Sequence, residues 1–397
     1  MKWVLVTWLL APVVCGQEKT PLPTDPNTFQ IPSIKYGPEG LDISSQDGNF
    51  HLHAELRAQL RFTEINHEDA AIGQSPEVDG GQFNVNRVRL KLGGHAYRPW
   101  LNYYFEHDFP SNRMLDLRLT AKANDAFRFR VGQWKVPYNR ERVDSSGKQQ
   151  FAERSIVNDP FTLDRQQGML AFGRLWQDSP ADTCYNLGVF SATGRGGSGT
   201  VDRPLWLGRW QWNFFGRDLS FSQSDIKLRK QAAGSITVAG ATYRGPYTAF
   251  SSAGGGQLDG FTTGDYDRYD VSQCLFETAF QYRGFSWQQE AHWKRVNDTD
   301  SGNITELTGF YCQTGLFPHA LIAEFPRPLE LALRFATVDP DQNRPNDRQT
   351  EYTLGCNWFF NGHRNKLTLD LSHLHDQAAP KGRSQINRLR LQWDISI

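Results

Sequence analysis

Charged side chains, most of them basic, occur at every second position in three short stretches of this sequence, separated by apolar residues. Successive side chains of a β-strand point to opposite faces, so each stretch would form a strand with one charged and one apolar face. A row of cations that faces water raises the local concentration of anions, so this pattern predicts a surface that attracts anions. The basic residues on the charged face are Arg87, Arg89, Lys91, Arg118, Arg128 and Arg130.

Each of these residues also has a simpler interpretation. A single Arg or Lys is commonly a solvated surface residue or one partner of a salt bridge. Several cations on one wall would repel one another unless acidic groups or anions were near, so only the whole set points to an anion path. Lys135 is left unassigned, because a bulge at Gly132 would reverse the alternation before it.

The stretch FHLHAELRAQLRF, residues 50–62, alternates in the same way over its whole length. In a soluble sandwich its apolar face would pack on a second sheet, whereas in a membrane barrel it would meet lipid. Alternation alone leaves both architectures open. Aromatic clusters near strand ends, as in 206–215 and 358–360, favour the interfacial girdles of a membrane barrel, although an aromatic-rich core would give a similar pattern.

Runs of about ten residues suit tilted strands that cross a bilayer. The sequence therefore predicts an all-β, transmembrane antiparallel β-barrel of about sixteen strands, with an additional strand conceivable in the long break 215–234. The final run, 385–396, is amphipathic, as expected of a strand that closes a barrel by pairing with the first. The predicted runs are 50–62, 83–93, 101–108, 114–122, 127–135, 167–175, 184–192, 204–214, 234–244, 273–283, 285–296, 305–316, 329–338, 350–361, 365–375 and 385–396.

The beginning of the chain is organised differently. Residues 1–16 carry a Lys before an apolar run and then small residues, which predicts a secretory signal peptide, with lipidation at Cys15 as a second interpretation. Residues 17–45 read as an extended Pro-containing segment, and 46–397 as the barrel. No later run of about 18 apolar residues predicts a transmembrane helix.

Composition narrows the range of partners. The 397 residues include 43 basic and 43 acidic side chains, and this zero net charge argues against a nucleic-acid partner. No cofactor and no metal site is predicted, because the cysteines beyond residue 16 are isolated from one another. They read as small strand residues, with disulfides as the alternative: Cys184, Cys274, Cys312 and Cys356.

The chain resembles the phosphate-selective porin O/P family of bacterial outer membranes from about Phe50 to the C-terminus. The most specific stretch is RVGQWKVPYNRERVDSSGKQQFAERSIVND, residues 130–159, which is similar to a strand of that family and its long third loop. Further matching stretches are GFYCQTGLF at 309–317, LELALRFATVD at 329–339 and EYTLGCNWFFNGH at 351–363.

The resemblance implies a barrel in the bacterial outer membrane, surrounded by its lipid and assembled as a homotrimer. It also implies that the third loop folds inward to narrow the pore, and that basic side chains line the lumen for small anions, with phosphate or polyphosphate as candidate solutes. On that loop it assigns a pore-lining role to Arg140, Arg142, Lys148 and Arg154.

Two other functions remain open from the sequence. A barrel hydrolase would use His51 or His53 with a serine such as Ser145, Ser146 or Ser155, but no nucleophile elbow is present and the sequence predicts no enzyme. An adhesin or binding barrel without an open pore would use long loops, and the Gly-rich stretch 251–270 matches no calcium-binding loop. Ion conductance separates a porin from both.

Overall fold

The structure, a computed structural model, describes residues 32–37, 39–67, 80–219, 221–379 and 384–397. The predicted signal peptide, 1–16, and the first part of the Pro-containing segment lie outside these residues. Two four-residue helices, α1 (Arg140–Val143) and α2 (Asn158–Phe161), and a 3₁₀ turn (Pro318–Ala320) accompany the strands. The strands are β1 Ser33–Gly37, β2 Gly40–Ser44, β3 His51–His67, β4 Gly80–His95, β5 Leu101–Asp108, β6 Arg113–Lys122, β7 Arg128–Lys135, β8 Arg165–Leu175, β9 Thr183–Phe190, β10 Arg203–Trp212, β11 Ala233–Gly245, β12 Ala249–Ser251, β13 Gly254–Gly256, β14 Tyr269–Tyr282, β15 Phe285–Asp298, β16 Ile304–Leu316, β17 Leu329–Asp339, β18 Gln349–Asn361, β19 Asn365–Asp376 and β20 Gln385–Ser396.

Sixteen of these strands close into an antiparallel barrel. From β3 to β11 and from β14 to β20, each strand pairs with the next one in the chain; β11 pairs with β14, and β20 pairs with β3. At the closure Ser396 lies opposite Arg57, and Leu391 lies opposite Phe62. The predicted barrel of about sixteen strands is confirmed, and closure of the sheet removes the free edges that an open sheet would expose.

The two faces of the barrel decide between a sandwich and a membrane barrel. On β19, Asp370 is fully buried whereas Leu371, its neighbour in the chain, is 52% exposed. The same inversion holds on β10, where Arg209 and Gln211 are buried and Trp210 is exposed. A soluble sandwich buries its apolar face, so this pattern fits a barrel with an apolar outer surface and a polar interior.

Connection lengths differ between the two rims of the barrel. Residues 283–284 and 362–364 are tight turns at one rim, whereas 136–164 and 246–268 are long loops at the other. Residues 213–232 and 317–328 are exceptions, since these long connections lie at the short-turn rim. The described part of 213–232 contains no strand. We call 136–164 loop 3 and 213–232 the long turn.

The described part of the Pro-containing segment forms a hairpin that the sequence did not predict. β1 pairs with β2, and β2 pairs in turn with residues 51–54 of β3. β20 ends opposite Arg57, so these first residues of β3 have no partner from β20. The hairpin therefore covers a stretch of sheet edge that barrel closure leaves open.

Two further features concern the interior and the helices. Between β7 and β15, part of the interior is occupied by an apolar cluster that includes Tyr138 of loop 3, Tyr243, Phe250 and Tyr269. Among the described residues, no helix combines the length and the apolar character that a membrane span needs.

Candidate functional site

Loop 3 contacts the inner faces of strands on the far side of the barrel from its own ends. The Nε2 amide of Gln150 donates to Ser286 Oγ of β15 at 3.0 Å and to Glu330 Oε1 of β17 at 2.9 Å. The backbone N–H of Ala152 donates to Asp370 Oδ2 of β19 at 2.8 Å. Loop 3 is thus held by polar side chains that alternate with the exposed apolar residues of these strands.

Loop 3 also contacts β3, at the point where the barrel closes. The guanidinium of Arg57 donates to Ser145 Oγ at 2.8 Å and to Ser146 Oγ at 2.7 Å. Gly147 leaves the room for this contact, because a Cβ at that position would lie 2.6 Å from Arg57 Nη1. The long turn meets the same loop, where the Gln150 backbone N–H donates to Gln223 Oε1 at 2.8 Å.

A cavity of about 970 Å³ lies between loop 3, the long turn and the inner faces of β3 to β10. In the described part of the chain, its wall carries twelve basic and six acidic side chains. Because basic side chains outnumber acidic ones on this wall, the cavity attracts anions. The basic side chains are Arg57, Arg89, Lys91, Arg118, Arg128, Arg130, Lys135, Lys148, Arg165, Arg174, Arg209 and Arg364, and the acidic ones are Glu39, Glu55, Glu106, Asp116, Asp125 and Asp218.

Most strand cations predicted from alternation line this cavity, and most have a carboxylate partner. Arg89 Nη1 lies 2.9 Å from Glu106 Oε1, and Lys91 Nζ lies 2.8 Å from Glu55 Oε1. These pairs neutralise part of the positive charge and hold the side chains in place.

The remaining strand cations differ in their partners. Arg118 Nη1 lies 3.2 Å from Asp116 Oδ2, and Arg128 Nη2 lies 2.6 Å from Asp125 Oδ1. Arg130 donates from Nε to Thr120 Oγ1 at 3.1 Å and has no carboxylate within ion-pair distance among the described residues.

Arg87 is the one predicted strand cation that lies outside the cavity lining. Its Nη2 donates to Glu153 Oε1 at 3.1 Å, and Arg61 Nη2 donates to the same oxygen at 2.8 Å. Burial alone would raise the pKa of Glu153, but Arg87 and Arg61 hold that pKa well below its usual range. Glu153 is therefore ionised, and its contacts with the two strand cations hold loop 3 to β3 and β4.

The four predicted cations of loop 3 have different surroundings. Only Lys148 lines the cavity; it is exposed, and it has no ion-pair partner among the described residues. Arg140 is buried with Glu277 of β14, Nε to Oε1 3.0 Å. Arg142 pairs with Asp164, and Arg154 donates to the backbone carbonyls of Glu141 and Asp144 at 2.9 and 2.8 Å.

Several cavity cations were not among the residues chosen from the sequence. Arg57 follows the polar parity of the stretch 50–62, so the alternation that identified Arg89 could have identified it too. Lys135, left unassigned, lines the cavity and donates from Nζ to Asp144 O at 3.0 Å. The β6–β7 register runs without a shift across Gly132, so the hypothesised bulge is not observed there.

Two carboxyl groups of loop 3 have displaced pKa values. Burial raises the pKa of Asp144 to about 6, although Lys135 and Lys148 oppose the shift. Burial also raises the pKa of Glu141 to about 7, with Arg334 acting in the opposite direction. Both groups therefore titrate near neutral pH rather than near pH 4, the usual range of carboxyl groups.

The residues that the hydrolase alternative requires do not come together. His51 Nε2 and His53 Nδ1 both contact Asp42 Oδ1, at 2.9 and 3.0 Å. Ser145 and Ser146 instead accept from Arg57, and within the described chain neither serine contacts these histidines. The four cysteines in the described residues, at 184, 274, 312 and 356, are free thiols.

Comparison with known structures supports the barrel assignment. The anion-selective porin from Comamonas acidovorans has a TM-score of 0.56 at 10% identity, over 87% of this chain and 99% of that chain. The loop L8 deletion mutant of OmpT, an outer membrane protein of Vibrio cholerae, has a TM-score of 0.55 at 12% identity, over 87% of this chain and 99% of that chain. The outer membrane channel DcaP of Acinetobacter baumannii has a TM-score of 0.54 at 11% identity, over 89% of this chain and 99% of that chain. These likenesses establish a common fold.

The family comparison extends over most of the sequence. No curated protein sequence gives a significant match. The model of the family described as phosphate-selective porin O and P matches residues 55–395, which include all of β4 to β19 and most of β3 and β20. The chain therefore belongs to the phosphate-selective porin O and P family, and it is an outer-membrane porin, a channel for anions.

Proposed function

We propose that this porin is a passive diffusion channel for small anionic solutes, with phosphate and polyphosphate among them, and that the cavity cations select these solutes. The observation that carries the proposal is the excess of twelve basic over six acidic side chains on the cavity wall. Low-dielectric walls strengthen the field of each charge, so this excess attracts anions and raises the barrier to cations.

Loop 3 folded into the lumen would narrow this path. The support is the set of contacts that loop 3 makes on opposite sides of the barrel, with Arg57 of β3 and with Ser286 and Asp370 of β15 and β19. A segment that bridges the interior in this way leaves solutes only the space beside it. That space is the cavity with the basic wall.

In this proposal the four cations of loop 3 have two different roles. Arg140, Arg142 and Arg154 have buried or partly buried partners, and we assign them mainly to holding the loop in position. Lys148 is exposed to the cavity without an ion-pair partner in the described residues, so its charge acts directly on a passing solute.

The test is the reversal potential of single channels in a KCl gradient across a planar bilayer. Wild-type protein should give a potential on the anion-selective side. Lys148→Glu should move it toward cations, with a smaller change at high salt, because the screening length falls to about 3 Å at about 1 M. Arg327→Glu is the matched control, since Arg327 lies exposed in the turn 317–328 and outside the cavity lining.

Each outcome separates this function from its alternatives. Anion selectivity that changes in Lys148→Glu and not in Arg327→Glu supports the proposal. Equal shifts in both variants would mean that surface charge rather than the cavity sets selectivity. A folded protein that inserts but never conducts would indicate a closed binding barrel instead.

The homotrimer is a further part of the proposal, supported by membership of the family. Chemical cross-linking of the detergent-solubilised protein should give a band of three subunits that survives dilution. A species of one subunit at every concentration would contradict the trimer and leave the channel proposal intact.

A further inference from the structure

One part of the cavity wall, on β7 and β8, combines a cation with aromatic and aliphatic side chains. The guanidinium carbon of Arg130 lies 4.7 Å from the ring centroid of Phe172 and 5.6 Å from that of Trp134. Leu170 lies opposite Arg130 in the β7–β8 register. All four side chains line the cavity, and we call them the aromatic patch.

The hydrogen-bond donors of the aromatic patch are incompletely used. The one hydrogen bond described for Arg130 runs from Nε to Thr120 Oγ1, and no carboxylate of the described residues is within ion-pair distance. Trp134 is only 1% exposed, and its Nε1–H has no hydrogen-bond partner among the described residues. An oxyanion in the cavity can accept from the guanidinium of Arg130, which lines the cavity, and so gain a charge-assisted hydrogen bond.

The other cations of the same wall do not share these properties. Arg128 lies two residues away on the same strand and face, but it is paired with Asp125 at 2.6 Å. Arg118 also stacks on an aromatic ring, that of Tyr104 at 4.3 Å, yet it is paired with Asp116. Arg209 contacts the Phe221 ring, but it is paired with Glu277. Among the described residues, Arg130 is the only cavity cation that contacts an aromatic ring and has no carboxylate within ion-pair distance.

This combination distinguishes one class of anion from another. Inorganic anions interact with any accessible cation and gain nothing from neighbouring apolar side chains. An anion with a flat apolar body can place its oxyanion on Arg130 and its ring against Phe172 and Leu170, which removes apolar surface from water. Building on the proposed anion channel, we propose that the aromatic patch is a subsite for aromatic carboxylates, with benzoate as the simplest example.

The test measures block of the chloride current through single channels in planar bilayers. Benzoate, acetate, inorganic phosphate and uncharged benzyl alcohol are added in turn to both chambers. Benzoate should reduce the current at a concentration about tenfold below that of acetate, because it combines the charge with ring contact. Benzyl alcohol should have little effect, since it lacks the charge.

Variants identify the place of binding. Arg130→Gln should weaken benzoate block about tenfold, the usual consequence of losing a charge-assisted hydrogen bond. Phe172→Leu should weaken benzoate block and leave acetate block unchanged. Arg128→Gln is the matched control, since it removes a cation from the same strand and face but one that already has a carboxylate partner.

The outcomes are distinct. If benzoate and acetate block equally in an anion-selective channel, the subsite is wrong and the channel proposal stands. If Arg128→Gln weakens benzoate block as much as Arg130→Gln, general charge and not the aromatic patch is responsible. If wild-type channels show no anion selectivity, the proposed function fails and the subsite with it. Should Arg130→Gln not fold, an unchanged benzoate block in Phe172→Leu would by itself overturn the subsite.

Discussion

Arg140 and Arg209 share the buried carboxylate of Glu277. The Arg140 Nε to Glu277 Oε1 distance is 3.0 Å, and Arg209 Nη2 lies 2.8 Å from the same oxygen. The side chains are 1% or less exposed. Two cations on one carboxylate leave a net positive charge beside the cavity, and they fix loop 3 to β10 and β14.

We expect Arg140→Gln to destabilise the barrel by about 2 kcal/mol, because a buried charge-assisted hydrogen bond is lost while Arg209 still compensates Glu277. The measurement is the temperature at which the folded band disappears on semi-native gels. Arg203→Gln is the control, since Arg203 and Asp270 form a half-exposed pair at 2.7 Å that should contribute less than about 1 kcal/mol. Equal losses in the two variants would contradict the structural role of Arg140.

We expect the selectivity of the channel to depend on pH through Asp144. Its pKa is raised to about 6 by burial, so the carboxyl is ionised at about pH 8 and neutral at about pH 5. Lys135, Lys148 and Arg154 lie near it. Acidification removes a negative charge beside these basic side chains, so we expect the reversal potential to move toward anions as the pH falls from about 8 to about 5.

Substitution separates this carboxyl from the others. Asp144→Asn should give strong anion selectivity already at about pH 8 and a flatter pH profile. In Asp125→Asn the profile should keep its shape, because hydrogen bonds from Lys122 and Arg128 lower the pKa of Asp125, which is therefore ionised throughout. A wild-type profile without change between about pH 8 and pH 5 would contradict the assignment of Asp144.

At the scale of elements, aromatic side chains of loop 3 pack against glycines on the inner faces of strands. A Cβ at Gly309 of β16 would lie 2.5 Å from Phe161 of α2, and one at Gly355 of β18 would lie 2.9 Å from Phe151. Aromatic rings of loop 3 thus occupy the room that missing side chains leave. This packing adds to the hydrogen bonds that hold the loop in position.

Gly309→Val should displace α2 from β16, because the Phe161 ring is fully buried and has no space into which to move. We expect a larger and noisier single-channel conductance. Gly208→Val is the control, since nothing lies within 4 Å of a Cβ at Gly208 on β10. Unchanged conductance in a folded Gly309→Val protein would mean that this part of loop 3 does not limit the passage.

At the scale of the whole molecule, barrel closure satisfies the backbone internally. β20 pairs with β3 over its length, and the β1–β2 hairpin covers the remaining edge of β3. A closed sheet in lipid can lose its hydrogen bonds only by opening as a unit. Exposed leucines and tryptophans on its outer face, such as Trp210 and Leu371, require a lipid or detergent surface.

We therefore expect a heat-modifiable protein. Unboiled protein in detergent should migrate differently from boiled protein and give a β-type circular dichroism spectrum, because the closed sheet resists unfolding in detergent. Monodisperse protein in detergent-free buffer would contradict the membrane barrel. An open pore is tested separately by conductance.

Much of the barrel can be predicted from the sequence, because strands carry a local signal. A side-chain period of two identifies each strand and its two faces within a few residues, and the sixteen predicted runs correspond to the sixteen barrel strands. The sequence did not predict the short strands β1 and β2, because five residues between Pro and Gly show too little alternation. The sequence did not predict the β12–β13 hairpin either, because its strands are also too short to show alternation.

The cation path could be predicted only in part. Arg89, Lys91, Arg118, Arg128 and Arg130 line the cavity as alternation predicts, because parity alone decides which face a strand residue occupies. Loop 3 has no such period, and its cations could be placed on the loop only by resemblance to a family. Their individual surroundings could not be predicted at all.

Period and parity are properties of neighbouring residues, so the sequence by itself determined the all-β class, the approximate number of strands and the division of each strand into a polar and an apolar face. The partners of each charge are properties of distant residues. Arg140 meets Glu277 across 137 positions, and Gln150 meets Glu330 across 180, because the sheet closes and loop 3 crosses to strands far along the chain. Only the tertiary structure decided which cations are held by carboxylates, as Arg140 is, and which are left facing the cavity, as Lys148 is, since no local pattern encodes contacts made over such separations.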